Sequence, residues 1–68
     1  MKVTVNGDEA DLAAGATVRT VLDGLDLPGE GRGVAVAVDA EVVPRASWDE
    51  TELHEGARIE ILRAIQGG

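Results

Sequence analysis

The dipeptide Asn6-Gly7 determines how the start of this chain can fold. In residues 1–5, apolar side chains alternate with polar ones, which is the period-2 pattern of a half-buried strand. Asn-Gly favours a two-residue type I′ turn, because that turn needs positive φ at both central positions. A hairpin closed there places Lys2 opposite Asp11 as an opposite-charge cross-strand pair. The sequence therefore predicts an N-terminal β-hairpin with one defined register.

A short amphipathic helix is predicted after the hairpin. Thr17 is a favourable N-cap residue, because its hydroxyl can accept a hydrogen bond from a free N–H of the first turn. Gly24 and the pair Pro28-Gly29 mark the end of the helix. Four apolar residues after Thr17 recur at the spacing of one helix face: Val18, Val21, Leu22 and Leu25. We expect this face to be buried.

Three later segments are predicted to be strands. Val34–Val38 alternates valine with alanine, so we expect the valines to contact the helix and Ala35 and Ala37 to line the opposite face. The next strand must end, or lie at a sheet edge, at Pro44, which has no N–H to donate. From Arg58 onward charged and apolar residues alternate again, which indicates a final half-buried strand.

These elements predict an α+β domain in which one main helix packs across a mixed sheet of four or five strands. The strands at the two ends of the chain are expected to pair centrally and in parallel, as in the β-grasp (ubiquitin-like) fold, although the same order of elements fits other folds. The 68 residues provide only a small core, and Trp48, the single aromatic residue, is expected to close it. We assign residues 1–65 to the domain and residues 66–68 to a flexible C-terminal tail.

The composition excludes several classes of site. The chain has no cysteine, so it cannot form a disulfide scaffold, a cysteine-ligated iron–sulfur centre or a thiol nucleophile. His54 is the single imidazole, which makes a zinc site unexpected. We expect His54 to be a surface loop residue without an acid–base partner. We identify no catalytic residue and no metal site.

The acidic charge balance indicates which partners suit this chain. Its 13 acidic and 6 basic residues give a net charge of −7. This charge disfavours nucleic acid and anionic membranes, and it favours partner proteins with basic docking faces. The longest apolar run, Val34–Val38, is far too short to span a membrane, and no signal-peptide pattern begins the chain. The sequence predicts a soluble, cytoplasmic protein.

The C-terminal residues Gln66, Gly67 and Gly68 suggest a tail that enters a partner. Glycine has no side chain to pack, but its backbone can pass through a channel too narrow for any residue with a Cβ. From Ala64 onward an extended tail reaches roughly 17 Å, at about 3.4 Å per residue. That reach is enough to bring the Gly68 carboxylate into a partner's active site. A frayed terminus has a similar composition, so the tail by itself leaves both interpretations open.

A partner-docking patch is predicted beside this tail. Four apolar residues alternate away from the expected core face: Ala35, Ala37, Leu62 and Ala64. Exposed apolar patches often mark interaction sites, and the surrounding charges tune the encounter. We therefore expect these four residues to form a shallow docking surface on the outer side of the sheet.

Several short motifs, taken together, are typical of one protein family. They are Val3-Thr4-Val5-Asn6-Gly7, Gly15-Ala16-Thr17-Val18, Val34–Val38, Val42-Val43-Pro44-Arg45 followed by Trp48, Gly56 and the final Gly67-Gly68. On these motifs the whole chain resembles the ThiS family, the ubiquitin-like sulfur carriers of thiamine thiazole biosynthesis. Two features depart from the family pattern: Asp39 stands where many members have Asn, and the tail reads Ala-Ile-Gln where others read Val-Ile-Ala.

The resemblance implies a specific chemistry at Gly68. A ThiF-like adenylyltransferase would use ATP to adenylate the Gly68 carboxylate, with Gln66 and Gly67 threading its active site. Sulfur supplied through a cysteine desulfurase would then convert the adenylate to a thiocarboxylate, which donates the sulfur to a ThiG-like thiazole synthase. The chain itself would be a co-substrate with no bound cofactor, and it would not be an enzyme.

Three alternatives remain open at this point. The small subunit of molybdopterin synthase carries sulfur on the same kind of tail, although the stretch from Val42 to Trp48 and the short length are less expected there. A protein modifier would be joined to lysines of other proteins through Gly68. A plain β-grasp interaction module would undergo no covalent change at Gly68.

Overall fold

The computed structural model describes residues 1–25 and 33–63. The elements are β1 (Lys2–Val5), β2 (Asp8–Asp11), α1 (Val18–Gly24), β3 (Val34–Val38), β4 (Glu41–Val43), a 3₁₀ turn (Arg45–Ser47) and β5 (Arg58–Arg63). The five strands form one sheet in the order β2-β1-β5-β3-β4. β1 and β5 are parallel and the other neighbours are antiparallel. The predicted α+β fold, with a five-stranded mixed sheet and the two terminal strands adjacent, is confirmed.

The N-terminal hairpin has the predicted register. Lys2 is opposite Asp11, and Val3 is opposite Ala10. Asn6 has φ 51° and Gly7 has φ 88°, which are the positive values that a type I′ turn requires. The hairpin is therefore specified locally, by the turn residues and by the alternation of apolar and polar residues on either side of the turn.

Helix α1 begins as predicted but ends earlier. The Thr17 hydroxyl accepts a hydrogen bond from the Thr20 N–H, and the Thr20 hydroxyl accepts one from the Thr17 N–H, so the two residues form a reciprocal capping box. The helix has only seven residues and stops at Gly24. Leu25 therefore lies beyond its last turn and is 45% exposed. The prediction that Leu25 completes the buried face is wrong, because the helix is too short to carry an i+7 position.

The core lies between α1 and the inner face of the sheet. Trp48 is 1% exposed, and its indole N–H donates a hydrogen bond to the carbonyl of Val43 over 3.0 Å. The guanidinium groups of Arg19 and Arg45 lie 5.5 and 5.9 Å from the centre of its ring. The remaining buried members of the core are Val3, Val18, Val21, Leu22, Val36, Leu53, Ala57, Ile59 and Ile61. The predicted placement of Trp48 in the core is confirmed.

The central position of β5 determines which strands flank its last described residues. β1 pairs with β5 only as far as Ile59, whereas β3 pairs with β5 up to Arg63. The last part of β5 thus runs alongside the first part of β3. The predicted domain boundary at residue 65 lies outside the described residues. Within the described ranges, no helix is long and apolar enough to cross a membrane.

Candidate functional site

The predicted reactive end of the chain comes after β5, the central strand, in the sequence. Arg63 ends β5 and is the last described residue. Gly68, the tail residues Gln66 and Gly67, and the predicted patch residue Ala64 all lie outside the described residues. The structure therefore positions the strand that precedes these residues in sequence, and the surface around that strand is the described part of the site.

The outer face of the sheet carries the predicted apolar patch. Ala35 is paired with Leu62 across the β3–β5 ladder, while their neighbours Val36 and Ile61 are paired on the core side. Leu62 is 68% exposed. Ala35 is exposed, and Ala37, on the same face, is half-buried. Three of the four predicted residues thus share one face next to the end of β5.

Sequence reasoning missed one member of this surface. Val42 lies opposite Ala37 in the β3–β4 ladder, so its side chain points to the same outer face, and it is 76% exposed. We define the outer-face patch as Ala35, Ala37, Val42 and Leu62. A three-residue strand ending at proline has too little alternation to assign its faces. The signal that would have identified Val42 is its pairing with an alanine already assigned to the outer face.

The outer face divides into an apolar half and a charged half. The outer-face patch occupies β4, β3 and the end of β5. Toward β1 and β2 the same face carries the cross-strand pair Lys2 and Asp11, and Arg58 is paired with Thr4. Glu60 lies between the two halves, opposite Ala37. A partner that covers the patch would therefore meet apolar groups at the tail side and charges of both signs farther along the sheet.

A second cluster joins the β3–β4 turn to the beginning of β5. Asp39, at φ 51°, accepts a hydrogen bond from the Arg58 N–H through Oδ1 (3.0 Å), and its own N–H donates to the Arg58 carbonyl (2.8 Å). Its Oδ2 lies 2.7 Å from Nε2 of His54, and Nδ1 of His54 lies 2.9 Å from the carbonyl of Glu55. The prediction that His54 lacks an acid–base partner is wrong. The partner is 15 positions away in sequence and becomes adjacent only when the turn folds.

The two contacts of His54 favour its charged form. A carbonyl and a carboxylate are both acceptors, so His54 satisfies both only when each ring nitrogen carries a proton. Accordingly, the hydrogen bond to Asp39 raises the pKa of His54 above its ordinary value of 6.5, and the hydrogen bond from His54 lowers the pKa of Asp39 below 3.8. Both side chains are exposed, so this pair is a surface ion pair and not a buried catalytic dyad.

We expect the contact between Asp39 and His54 to stabilise the fold only within a limited pH range. The raised pKa of His54 gives stability that is complete below about pH 6.5 and lost as the pH rises through the folded-state pKa. The lowered pKa of Asp39 gives stability that is present above about pH 3.8 and lost as the pH falls through the folded-state pKa. Denaturant melts of the wild type and Asp39→Asn should therefore differ most between these two values.

Asp39→Asn is the matched variant because asparagine keeps the Oδ1 acceptor for Arg58 and tolerates the left-handed turn. An NMR titration of the His54 ring should give a pKa above 6.5 in the wild type and a lower one in the variant. Identical titrations would show that the two side chains do not interact in solution.

Residues 3–68 match the ThiS family. The "Sulfur carrier protein ThiS" of Escherichia coli (strain K12) is 32% identical over 68 residues, which is the whole of both chains. The "Thiazole synthase" of Paramagnetospirillum magneticum is 35% identical over all 68 residues, and the chain spans only 20% of that relative's length.

Solved structures agree with these matches. The crystal structure of the thiamine biosynthesis protein (ThiS) from Geobacter metallireducens superposes with a TM-score of 0.83 at 30% identity, with both chains fully covered. An NMR solution structure of a thiamine biosynthesis protein from the same organism gives a TM-score of 0.78 at 31% identity, covering all of this chain and 88% of that one.

The fold and the Gly67-Gly68 pair together define a class: a β-grasp domain with a diglycine sequence after its central strand, as in ubiquitin-like carriers. The family match covers residues 3–68, and the similarity to E. coli ThiS extends over the whole of both chains. These matches identify one family within this class. The chain belongs to the ThiS family, the sulfur carrier proteins of thiamine biosynthesis.

Proposed function

We propose that this chain carries sulfur as a thiocarboxylate on Gly68 and delivers it to a thiazole synthase. The observation that carries the proposal is the match to the ThiS family, which extends through residue 68 and so includes the terminal glycines. The fold supports it, because the strand before the tail lies at the centre of the sheet and next to an exposed apolar surface. The chain contributes no catalytic group in this proposal; its partners perform the catalysis.

The chemistry explains why a carboxylate needs a partner enzyme. A carboxylate is a poor electrophile, so one of its oxygens first attacks the α-phosphate of ATP and displaces pyrophosphate. The resulting acyl adenylate has AMP as a good leaving group. A persulfide on the sulfur-donor protein attacks the acyl carbon and displaces AMP, and a thiol then cleaves the sulfur–sulfur bond. The products are the Gly68 thiocarboxylate and a disulfide on the donor side, with sulfur supplied through a cysteine desulfurase.

The acceptor is proposed from the longer relative. In Paramagnetospirillum magneticum a segment similar to this whole chain forms a fifth of a protein named thiazole synthase. A carrier and the enzyme that consumes its sulfur gain effective concentration when they share one polypeptide. This arrangement supports a thiazole synthase as the acceptor for the free chain as well.

Intact-mass measurement tests the proposal directly. The chain is incubated with ATP, an adenylating enzyme of the ThiF type, a cysteine desulfurase, cysteine and a thiol reductant. We expect the mass to increase by one oxygen-to-sulfur exchange, located at Gly68 by fragmentation. The same mixture without ATP should leave the mass unchanged. An unchanged mass with ATP, while E. coli ThiS gains sulfur with the same enzymes, would contradict the proposal.

The outer-face patch is the proposed docking surface for the adenylating enzyme. Leu62→Asp places a charge in a surface that would be desolvated on docking, so we expect affinity to fall by about tenfold or more. Stability should change by no more than about 0.5 kcal/mol, because Leu62 is largely exposed. Binding is measured by calorimetry and folding by a thermal melt.

Ala14→Asp is the matched control for this variant. Ala14 is exposed in the loop between β2 and α1, outside the patch, and the substitution adds the same charge. Its affinity should remain close to that of the wild type. If both variants bind equally well, the docking surface lies elsewhere.

A further inference from the structure

The side chain of Asn6 bonds to the strand that leads to the tail. Its Oδ1 accepts a hydrogen bond from the Ile61 N–H over 2.8 Å, and its Nδ2 donates to the Ile61 carbonyl over 3.2 Å. These two bonds connect residues 55 positions apart in sequence. One planar amide thus satisfies both backbone groups of a single β5 residue, as a neighbouring strand would.

The position of Asn6 explains why the strand needs this substitute. The backbone of β1 last contacts β5 where the Asn6 N–H donates to the Ile59 carbonyl, and the chain then turns away at Gly7. β5 continues for four more residues, to Arg63. Without the Asn6 side chain, the edge of Ile61 that faces β1 would have no partner from that strand. Beyond Ile59, β5 would then be held by β3 alone.

We propose that Asn6 is a positioning residue for the reactive tail: by holding Ile61, it keeps the end of β5 in the sheet and sets the number of residues between the held strand and Gly68. The inference rests on the proposed function, because it concerns the approach of the Gly68 carboxylate to an adenylating enzyme. It adds a role to a residue whose identity the turn alone already explains.

The expected kinetic effect follows from tether length. Five residues follow Arg63 in the sequence, where β5 is held to its end, and eight follow Glu60, where β5 would be held only that far. The volume searched by a flexible tether grows with about the 3/2 power of its length, so the local concentration of the carboxylate falls by roughly twofold. A frayed strand also no longer directs the carboxylate toward the enzyme, which lowers its local concentration further. We therefore expect the KM for the carrier to rise about two- to fivefold with little change in kcat.

Asn6→Gly tests the proposal, because Gly-Gly also forms a type I′ turn but has no side chain to bond Ile61. We expect the Ile61 amide to exchange with solvent about tenfold faster or more, while the Leu53 amide, bonded to the Ala16 carbonyl, exchanges as in the wild type. Asn6→Asp retains the Oδ1 acceptor and should keep the Ile61 amide protected. Gly7→Ala is the matched control: it strains the same turn at φ 88° and keeps both Asn6 bonds.

The outcomes separate this inference from the proposed function. Faster exchange at Ile61 together with a raised KM in Asn6→Gly, both absent in Gly7→Ala, supports the positioning role. Unchanged exchange at Ile61, an unchanged KM, or equal effects in Asn6→Gly and Gly7→Ala overturn it. If wild-type carrier supports no ATP–pyrophosphate exchange with an enzyme that is active on E. coli ThiS, the proposed function fails and the positioning role fails with it.

Discussion

Gly67→Val is expected to reduce adenylation of the carrier by on the order of a hundredfold while leaving the domain folded. The substitution adds a β-branched side chain one residue before the reactive carboxylate, which widens the tail and restricts its backbone. The carboxylate must attack the α-phosphate of ATP in line, and a displacement of about 1 Å can cost on the order of a hundredfold in rate. ATP–pyrophosphate exchange with a ThiF-type enzyme measures the loss.

Two further variants calibrate this result. Gly67→Ala adds only a methyl group and should fall between the wild type and Gly67→Val. Deletion of Gly68 moves the carboxylate back by one residue and should be at least as damaging as Gly67→Val. All three should melt within about 0.5 kcal/mol of the wild type, because residues 66–68 are predicted to form a tail outside the domain. Exchange at wild-type rates in Gly67→Val and the deletion would show that the diglycine is only a frayed terminus.

The parts of the fold that were predictable are those that nearby residues determine. The hairpin follows from Asn6-Gly7 and the alternation on either side of it, and the helix start follows from Thr17. The buried position of Trp48 follows from its being the only aromatic residue available to a small aliphatic core. Each of these depends on contacts that a few neighbouring residues or the composition already imply.

The features that sequence reasoning missed depend on residues brought together by the folded sheet. Asp39 meets His54 only after the β3–β4 turn has packed against the segment before β5. The outward direction of Val42 follows from its partner Ala37 on the neighbouring strand. Asn6 was interpreted as a turn residue alone, because its bonds to Ile61 require the parallel pairing of the two terminal strands. Long-range register, which no local pattern contains, decides all three.

The pairing register of β3 and β5 also determines which residues form the proposed docking surface and which enter the core. The outer-face patch exists because β3 and β5 direct Val36 and Ile61 inward and their neighbours outward. β4 carries Val42, and the carbonyl of its last residue, Val43, accepts the indole hydrogen bond of Trp48. The same aromatic side chain therefore fills the core and holds an edge strand of the proposed docking surface.

Trp48→Ala is expected to cost about 3–5 kcal/mol of the free energy of unfolding, the usual loss for removing a large aromatic side chain from a core. Native domains are stable by only about 5–15 kcal/mol, and small ones lie toward the lower end. The variant should therefore be partly unfolded at 25 °C. Denaturant melts must be followed by far-UV circular dichroism, because Trp48 is the only tryptophan and its fluorescence is lost with it.

Trp48→Phe is the control that separates filling the core from the hydrogen bond. Phenylalanine keeps an aromatic ring in the space but cannot donate to the Val43 carbonyl, which is 3.0 Å from the indole nitrogen. It should therefore cost less than Trp48→Ala, about 1–3 kcal/mol, from the unpaired carbonyl and the smaller ring. Where Trp48→Phe remains folded, it should also bind the adenylating enzyme less tightly, because β4 and its Val42 lose one support. A loss below about 1 kcal/mol in Trp48→Ala would mean that Trp48 is not part of the core in solution.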